Sequence, residues 1–262
     1  MNGISDIPAM ILCGGKGTRL RDVTEQLPKP MVPIGEVPIV VHIMKWYAHF
    51  GVRRFILCLG YKKESFIDYF VNFSRYVNDI TVNVGTGDVT VHKARSFDWE
   101  VTLADTGLES KTGRRVYAAK KYLRGSDNEF FLTYGDGVSD VDIRRLFERH
   151  SESGRLFTLT KVKSPTRFGL IETDADGRVL EFQEKTQSDG YVNGGFMCVD
   201  RAFVGKYLDG SDVFLEQEPM LAAMRDEQVG AYTHDGFWQC MDTSRDYNLL
   251  NELWAGGNAP CM

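Results

Sequence analysis

The sequence predicts an α/β fold: a Rossmann-like, mixed but mainly parallel sheet flanked by helices, with β-hairpin insertions. In the first half, short apolar runs alternate with amphipathic stretches, the spacing of strand-helix-strand crossovers. Two stretches break this alternation with hairpin turns. No linker, repeat or low-complexity segment interrupts the 262 residues. We therefore expect one domain over residues 1–262, with an N-terminal half at about 8–140 and a C-terminal half at about 141–262.

Three buried strands are predicted in the first half of the chain. The run AMILC at residues 9–13 ends at two glycines, VRRFILCL occupies residues 52–59, and EFFLTY occupies 129–134. Apolar runs of this length are typical of strands that are covered on both faces. Hairpins are predicted over residues 80–92 and 168–184, the second turning at 174–177 (DADG).

Helices are predicted between these strands and at the end of the chain. Residues 38–50 start at a proline, are followed by Gly51, and place on one face Ile39, Ile43, Trp46, Tyr47 and Phe50. Further helices are predicted over 62–73, 140–152 and 243–254. In the 62–73 helix we expect four inward aromatic residues, Phe66, Tyr69, Phe70 and Phe73.

Composition limits the classes of function. Lys and Arg number 31 against 36 Asp and Glu, and this formal charge of -5 argues against a nucleic-acid-binding protein. No apolar stretch approaches the roughly 18 residues needed to span a bilayer, and the N-terminus lacks the cationic region of a signal peptide. The five cysteines are widely spaced without a CxxC pair, which indicates free thiols in a reducing compartment. We expect a soluble cytoplasmic protein.

The clearest local motif follows the first predicted strand: Gly14-Gly15-Lys16-Gly17-Thr18-Arg19. Its glycines let backbone N–H groups approach a phosphate, while the threonine and arginine add side-chain donors. It is neither a Walker A loop nor a GxGxxG fingerprint. The alternative is a glycine-rich turn that carries a surface arginine.

Charged residues at three other places are candidates for the same site. Two prolines bracket Lys29 and stiffen its loop, so that it could serve as a fixed phosphate-binding cation or be a solvated lysine. Asp136 follows a buried strand, at the sheet edge where ligands of open α/β sheets bind. Asp242 precedes the last predicted helix, and could cap that helix or join Asp136 on one Mg²⁺.

A fourth set has polar groups suited to a sugar phosphate. Glu184 and Lys185 end one predicted strand, and Asn193 and Gly194 open the next. The alternative is an exposed charged strand end followed by a bulge. The five histidines form no zinc-binding pattern, and no GxSxG nucleophile motif is present.

Together these motifs resemble those of the sugar-phosphate nucleotidyltransferases. The signature Gly-Gly-x-Gly-Thr-Arg-Leu followed by Pro-Lys-Pro-Met stands at residues 14–20 and 28–31, and the resemblance runs over essentially the whole chain. The stretches 133–138 (TYGDGV) and 237–243 (FWQCMDT) are similar to the glucose-1-phosphate cytidylyltransferase (CDP-glucose pyrophosphorylase) branch. Shorter matches to that branch stand at 105–107, 167–169, 182–185, 193–196 and 216–219.

The resemblance implies a nucleotide-diphospho-sugar transferase fold and one reaction. An oxygen of a sugar 1-phosphate, α-D-glucose 1-phosphate in this branch, attacks the α-phosphorus of CTP, and pyrophosphate leaves. It also implies Mg²⁺ as cofactor and a homo-oligomer, with a hexamer among the orders known for related enzymes. CTP and the sugar 1-phosphate are the expected partners, with no nucleic acid and no membrane.

The resemblance also implies a role for each matching residue. The nucleotide would be bound in the N-terminal half by Leu12, Gly14, Gly15, Gly17, Thr18, Arg19, Lys29, Ser110, Thr112, Arg115 and Gly135. The sugar phosphate would be bound by Glu184, Lys185, Asn193 and Gly194. Asp136 and Asp242 would hold the metal, and with Arg19 and Lys29 they form the expected catalytic set.

Four features depart from the family pattern. Lys16 takes an often apolar place, Arg114 replaces the second glycine of a Thr-Gly-Gly-Arg stretch near the presumed base pocket, and Thr186 stands where proline is usual. The stretch 163–166, before 167–169 (RFG), has a less usual form. These changes leave the reaction type intact and leave the sugar and the base open. The alternatives are a thymidylyl- or uridylyltransferase acting on a hexose or heptose 1-phosphate, and a non-catalytic nucleotide-sugar sensor on the same fold.

Overall fold

The computed structural model describes residues 3–17, 26–92, 97–163, 190–257 and 259–261, and the backbone of two strands at 170–173 and 179–183. Within this part of the chain the strands, in chain order, are β1 (Ala9–Leu12), β2 (Pro33–Ile34), β3 (Val37–Pro38), β4 (Arg54–Leu59), β5 (Asp79–Val82), β6 (Val89–His92), β7 (Glu100–Asp105), β8 (Glu129–Tyr134), β9 (Gly137–Ser139), β10 (Phe157–Lys163), β11 (Leu170–Thr173), β12 (Val179–Gln183), β13 (Tyr191–Asp200), β14 (Val229–His234) and β15 (Trp238–Cys240).

The α-helices of the same residues are α1 (Ile39–His49), α2 (Lys63–Val71), α3 (Phe73–Tyr76), α4 (Thr112–Ala119), α5 (Ile143–Ser153), α6 (Arg201–Tyr207), α7 (Glu218–Arg225) and α8 (Ser244–Ala255). Short 3₁₀ turns occupy Ile4–Asp6, Lys29–Met31 and Lys120–Tyr122. None of the described helices is both long enough and apolar enough to cross a bilayer.

The central sheet has seven strands in the described chain, in the order β14-β10-β13-β8-β1-β4-β7. All neighbours pair in parallel except β13, which is antiparallel to both β8 and β10. The predicted mixed, mainly parallel sheet is confirmed. Strands β10, β13 and β14 come from the second half of the chain, so both halves build one sheet.

Both faces of the sheet are covered, as the continuous apolar strands predict. In β1, Ala9 and Ile11 belong to one core cluster with α1, α2, α5 and α8. Met10 and Leu12 belong to the other, with α4, α6 and α7. Alternate side chains of a strand point to opposite faces, so a run without polar residues needs helices on both sides.

The predicted elements are present with small shifts of their ends. Helix α1 starts after Pro38, and Gly51 follows it in the left-handed region with φ 104°. The helix predicted over 62–73 ends near Asn72, and a separate turn, α3, follows it. Phe66 is fully buried there, while Tyr69, Phe70 and Phe73 are half-buried against the core.

Both predicted hairpins are antiparallel pairs. Strands β5 and β6 pair from Asp79 with His92 to Val82 with Val89. Strands β11 and β12 form the second pair, and its predicted turn at 174–177 lies outside the described residues.

Candidate active site

A cleft of about 340 Å³ opens where β1 and β8 end. Its lining residues come from both halves of the chain: Leu12, Cys13, Gly14, Gly15, Gly17, Lys29, Pro30, Ser110, Lys111, Thr112, Arg115, Tyr134, Gly135, Asp136, Phe214 and Asp242. Parallel strands place their carboxyl ends, and the loops that follow them, at one edge of a sheet. The cleft therefore contains every described residue to which the sequence assigned a nucleotide or metal role.

The glycine loop at one wall of the cleft is shaped by Arg115. A Cβ at Gly14 would lie 2.0 Å from Nη1 of Arg115, and one at Gly60 would lie 2.6 Å from the same atom. The guanidinium group thus packs directly against the backbone of these two glycines. Gly17 takes φ 60°, a left-handed conformation that favours glycine. Thr18 and Arg19 lie outside the described residues.

Arg115 is 4% exposed and donates to oxygens of separate segments. Its Nη1 and Nη2 atoms bind the carbonyls of Leu59 (3.0 Å), Gly107 (2.8 Å), Gly14 (3.0 Å) and Leu108 (3.2 Å) and the Thr106 hydroxyl (2.9 Å). Within the described residues these hydrogen-bond acceptors are all neutral. Burial lowers the pKa of the Arg115 guanidinium, but an arginine stays charged in a protein. The sequence assigned it to the nucleotide; the structure places it behind the glycine loop as well as in the cleft wall.

The second cation of the cleft, Lys29, lies between two carboxylates. Its Nζ is 2.7 Å from Oδ2 of Asp136 and 2.6 Å from Oδ1 of Asp242. Lys29 is 8% exposed and opens the 3₁₀ turn that its flanking prolines favour. Burial alone would lower the pKa of Lys29, but the two adjacent carboxylates outweigh it and raise the pKa. The lysine is therefore a firmly charged ammonium group.

Short backbone segments bring the two aspartates together. Strand β15 pairs with β9, so that Cys240 faces Gly137, and the Met241 N–H donates to the Asp136 carbonyl at 2.9 Å. Gly135 lies tightly against the proline loop, since a Cβ there would be 2.9 Å from Cγ of Pro30. A larger residue at 135 would push β8 and the Lys29 loop apart.

Asp242 does not cap the last helix. Thr243 is the N-cap of α8, and its hydroxyl and the Asp246 carboxylate form a capping box. The Asp242 side chain points instead to Lys29. The capping alternative for Asp242 is therefore wrong, because its neighbour already satisfies the helix end.

The carboxylate pair has the chemistry of a magnesium site. Oxygens of Asp136 and Asp242 both reach one point, the Lys29 ammonium, beside an open cleft. Mg²⁺ is usually held by one or two carboxylates, with water and substrate phosphates as the other ligands. In the described part of the chain, no group of three or more His, Cys, Asp or Glu side chains could hold a metal ion. The donor set thus fits a metal that is completed by a phosphate ligand.

Two predicted nucleotide contacts lie at the start of α4. Ser110 and Thr112 both line the cleft. The Thr112 hydroxyl donates to Oε2 of Glu216 at 2.7 Å and accepts from the Leu215 N–H at 2.8 Å. Its hydrogen bonds thus join the cleft wall to the loop before α7, a connection that the sequence did not predict.

Of the four predicted sugar-phosphate residues, the structure describes Asn193 and Gly194, and neither is part of the described cleft lining. Asn193 and Gly194 begin β13, whose antiparallel direction brings them to the same edge of the sheet. Trp238 Nε1 donates to the Gly194 carbonyl at 2.8 Å, and the Asn193 side chain accepts from the Gly195 N–H at 3.0 Å. Glu184 and Lys185, with Thr186 and residues 167–169, lie outside the described residues.

The departures Lys16 and Arg114 face in different directions. Lys16, within the glycine loop, pairs with Glu109 at 2.6 Å. Arg114 donates to the Gly210 carbonyl at 2.5 Å and is not part of the described cleft lining. The expectation that Arg114 lies near the base pocket stays a prediction.

Sequence reasoning gave no site role to five residues of the cleft lining: Cys13, Pro30, Lys111, Tyr134 and Phe214. Tyr134 stands inside the quoted stretch 133–138 and Phe214 stands two residues before the quoted stretch 216–219, but neither received a role. A buried strand end could have indicated Tyr134. No local pattern marks Phe214, which lies in a loop between α6 and α7.

Comparison with known proteins identifies the family of the chain. Residues 8–238 match the protein family described as Nucleotidyl transferase. The chain is 42% identical to a glucose-1-phosphate cytidylyltransferase of Salmonella typhi over 96% of this chain and 97% of that protein. It is 39% identical to a probable glucose-1-phosphate cytidylyltransferase of Bacillus subtilis (strain 168), over 95% and 96% of the two chains.

A solved structure shows the fold at lower identity. The HddC protein of Yersinia pseudotuberculosis, complexed with GMP-PN, superposes with a TM-score of 0.67 at 22% identity, covering 95% of this chain and 99% of that one. At this identity the likeness concerns the fold alone. With the family match and the near-complete overlap with curated relatives, the chain belongs to the nucleotidyl transferase family.

Proposed function

We propose that the protein is a glucose-1-phosphate cytidylyltransferase: it transfers CMP from CTP to α-D-glucose 1-phosphate and releases pyrophosphate. The observation that carries the proposal is the Lys29 ammonium held between Asp136 and Asp242 in a cleft walled by the glycine loop. The choice of base and sugar is supported by the 42% identity with the Salmonella typhi enzyme of that name.

The reaction needs positioning and charge neutralisation more than covalent help from the protein. A phosphate oxygen of the sugar 1-phosphate forms the new bond to the α-phosphorus of CTP. The bond from that phosphorus to the bridging oxygen breaks, and pyrophosphate leaves with the electron pair. The anionic nucleophile carries no proton that must be removed. Fixed donors at the charge that develops on phosphorus are the main source of such catalysis.

The residues of this chain would divide that work. Backbone N–H groups of Gly14, Gly15 and Gly17 would receive the nucleotide, and Lys29 would neutralise the α-phosphate. Asp136 and Asp242 would hold Mg²⁺, which when bound offsets the negative charge of the phosphates. Until substrate binds, Lys29 balances these two carboxylates.

Assembly and location are further parts of the proposal. Strand β5 exposes Ile80 and Val82, and Val84, in the turn between β5 and β6, is 93% exposed. Since a two-stranded hairpin is marginal by itself, we propose that a second copy covers it in a homo-oligomer. Light scattering would test this: replacing Val82 and Val84 by lysine should yield monomers.

We also propose that the protein works in the cytoplasm. The five cysteines are free thiols, the state that a reducing compartment maintains.

A pyrophosphate-release panel tests the proposed reaction. It crosses CTP, UTP, dTTP, ATP and GTP with glucose 1-phosphate, with Mg²⁺ and with EDTA. Selective turnover of CTP that requires Mg²⁺ is the expected result. Turnover of UTP or dTTP would correct the base, and turnover with only a different hexose or heptose 1-phosphate would correct the sugar. Nucleotide-sugar binding without turnover would favour a sensor.

A further inference from the structure

The loop 211–217 from the second half of the chain forms part of the cleft wall. Phe214 of this loop lines the same cleft as Gly14, Gly15 and Ser110. Its side chain is 42% exposed although it is a large aromatic group. An exposed ring that lines a cleft differs from one on the open surface, because a ligand bound in the cleft can cover it.

The loop is tied to the start of α4 by four hydrogen bonds. The Lys111 N–H donates to Asp212 (2.8 Å), and the Gly113 N–H donates to the Val213 carbonyl (3.0 Å). The Leu215 N–H donates to the Thr112 hydroxyl, which itself donates to Glu216. These bonds bracket Phe214 on both sides, so its backbone is held at a set position in the wall.

Glu216 connects this loop to a second wall of the cleft. One carboxylate oxygen accepts from Thr112, and the other accepts from the Tyr134 hydroxyl at the end of β8. Burial, and then the nearby Glu216 carboxylate, raise the pKa of Tyr134, so the phenol keeps its proton to donate. The Glu216 carboxylate thus accepts from two hydroxyl groups. These bonds hold a negative charge beside a cleft that we propose binds anionic substrates.

A cation also lies over the ring of Phe214. The Lys111 ammonium lies 5.3 Å from the ring centroid. An aromatic face together with an adjacent cation suits a ligand that combines a flat ring with phosphates. A sugar phosphate offers the phosphate without the flat ring, whereas a nucleotide offers both.

We infer that Phe214 binds the nucleoside part of the nucleotide by aromatic contact, and that Glu216 is a positioning residue that holds the Phe214 loop. The inference rests on the proposed function and extends it, because it assigns part of the nucleotide site to the C-terminal half. Stacking between a base and an aromatic side chain tolerates any base. Phe214 thus adds affinity for the nucleotide and does not select cytosine.

The test compares F214A with the wild type in steady-state kinetics and in calorimetric binding of CTP. Stacking is worth about 1–3 kcal/mol per base, so the KM and Kd for CTP should rise about 5-fold or more. The KM for glucose 1-phosphate and kcat should change less than 2-fold, and the preference among CTP, UTP and dTTP should stay the same. F214W should keep near-normal affinity. The control is L221A, which removes a similarly exposed side chain from α7, outside the described cleft lining.

The role of Glu216 is tested by coupling. E216Q should raise the KM for CTP about 3-fold in the wild type but add little to F214A, because it acts through that loop. E218Q is the matched control, since Glu218 pairs with Arg225 on the surface. Additive effects of E216Q and F214A would remove Glu216 from this role.

The outcomes separate this inference from the proposed function. An active wild type whose F214A variant binds CTP normally would overturn the inference alone, and so would a rise in the KM for glucose 1-phosphate instead of CTP. A wild type that turns over no nucleotide and binds no CTP would overturn the proposed function and the inference with it.

Discussion

Lys29 and Arg115 are two buried cations of the same cleft, and their hydrogen-bond partners are of opposite kinds. Lys29 contacts two carboxylates, Asp136 and Asp242. Arg115 contacts four backbone carbonyls and one hydroxyl, and its described hydrogen-bond acceptors carry no charge. Both side chains are less than one tenth exposed.

The difference separates a group that can exchange partners from one that cannot. The partners of Lys29 are single side chains at the cleft, so a phosphate can replace them without moving the backbone. The partners of Arg115 are four backbone carbonyls and the Thr106 hydroxyl on three loops, and releasing the arginine would break all five hydrogen bonds together. Lys29 is thus placed to act on a ligand, and Arg115 to shape the wall that receives it.

The largest effect on turnover is expected at Asp136, one of the two carboxylates that contact Lys29. Asp136→Asn should lower kcat by roughly 100-fold or more with little change in the melting temperature, because one of the two carboxylates loses its charge. Pyrophosphate release and thermal unfolding measure the two quantities. Asp105→Asn is the control, since Asp105 pairs with Lys63 at the surface, outside the cleft lining. Near-normal turnover by D136N would remove Asp136 from the metal site.

Lys29→Met should expose the repulsion between the two aspartates. The pair is partly open to solvent, so we expect a loss of about 1–2 kcal/mol and a melting temperature lower by about 3–6 °C in EDTA. Mg²⁺ should raise the melting temperature of the variant more than that of the wild type, because it replaces the missing charge. Lys63→Met, which breaks a surface pair, is the control. Equal responses to Mg²⁺ would contradict this account of Lys29.

The Arg115 side of the comparison is tested by a double-mutant cycle with Gly14. A Cβ at Gly14 would collide with the guanidinium, so Gly14→Ala should lower the free energy of unfolding by about 2 kcal/mol. In the Arg115→Ala background the same change should cost less than about 0.5 kcal/mol, because the colliding group is gone. Gly15→Ala is the matched control, as a Cβ there has open space. Urea unfolding measures all variants, and additive costs would show that Gly14 and Arg115 act independently.

The smallest effect is expected at Arg114, the neighbour of Arg115 in the chain. Its guanidinium binds the Gly210 carbonyl. Arg114→Gly should therefore leave the CTP:UTP:dTTP preference within about 2-fold of the wild type and cost about 1 kcal/mol of helix stability. Competition assays with paired nucleotides measure the preference. A clear change of base preference would place Arg114 at the nucleotide despite its present contact.

Local sequence patterns predicted most of the fold and part of the site. Apolar runs predicted β1, β4 and β8, and the Pro38 to Gly51 stretch predicted α1, because burial on both faces and helix ends leave marks within a few residues. This dependence on local patterns explains why Phe214 was missed, since nothing near it shows that it faces a cleft built by the other half of the chain. The error at Asp242 has another cause. Thr243 and Asp246 have the spacing of a capping box, a local mark of the helix start that was overlooked.

The sequence by itself determined the alternation of strands and helices along the chain, the glycine loop after β1 and the stiff loop that carries Lys29. These features depend on side-chain periodicity and on the backbone limits of glycine and proline. The tertiary structure alone decided that Lys29 meets Asp136 and Asp242, which stand 107 and 213 residues away, and that Arg115 reaches loops from three strands. Contacts over such separations follow from how the sheet orders its strands, and no local pattern encodes that order.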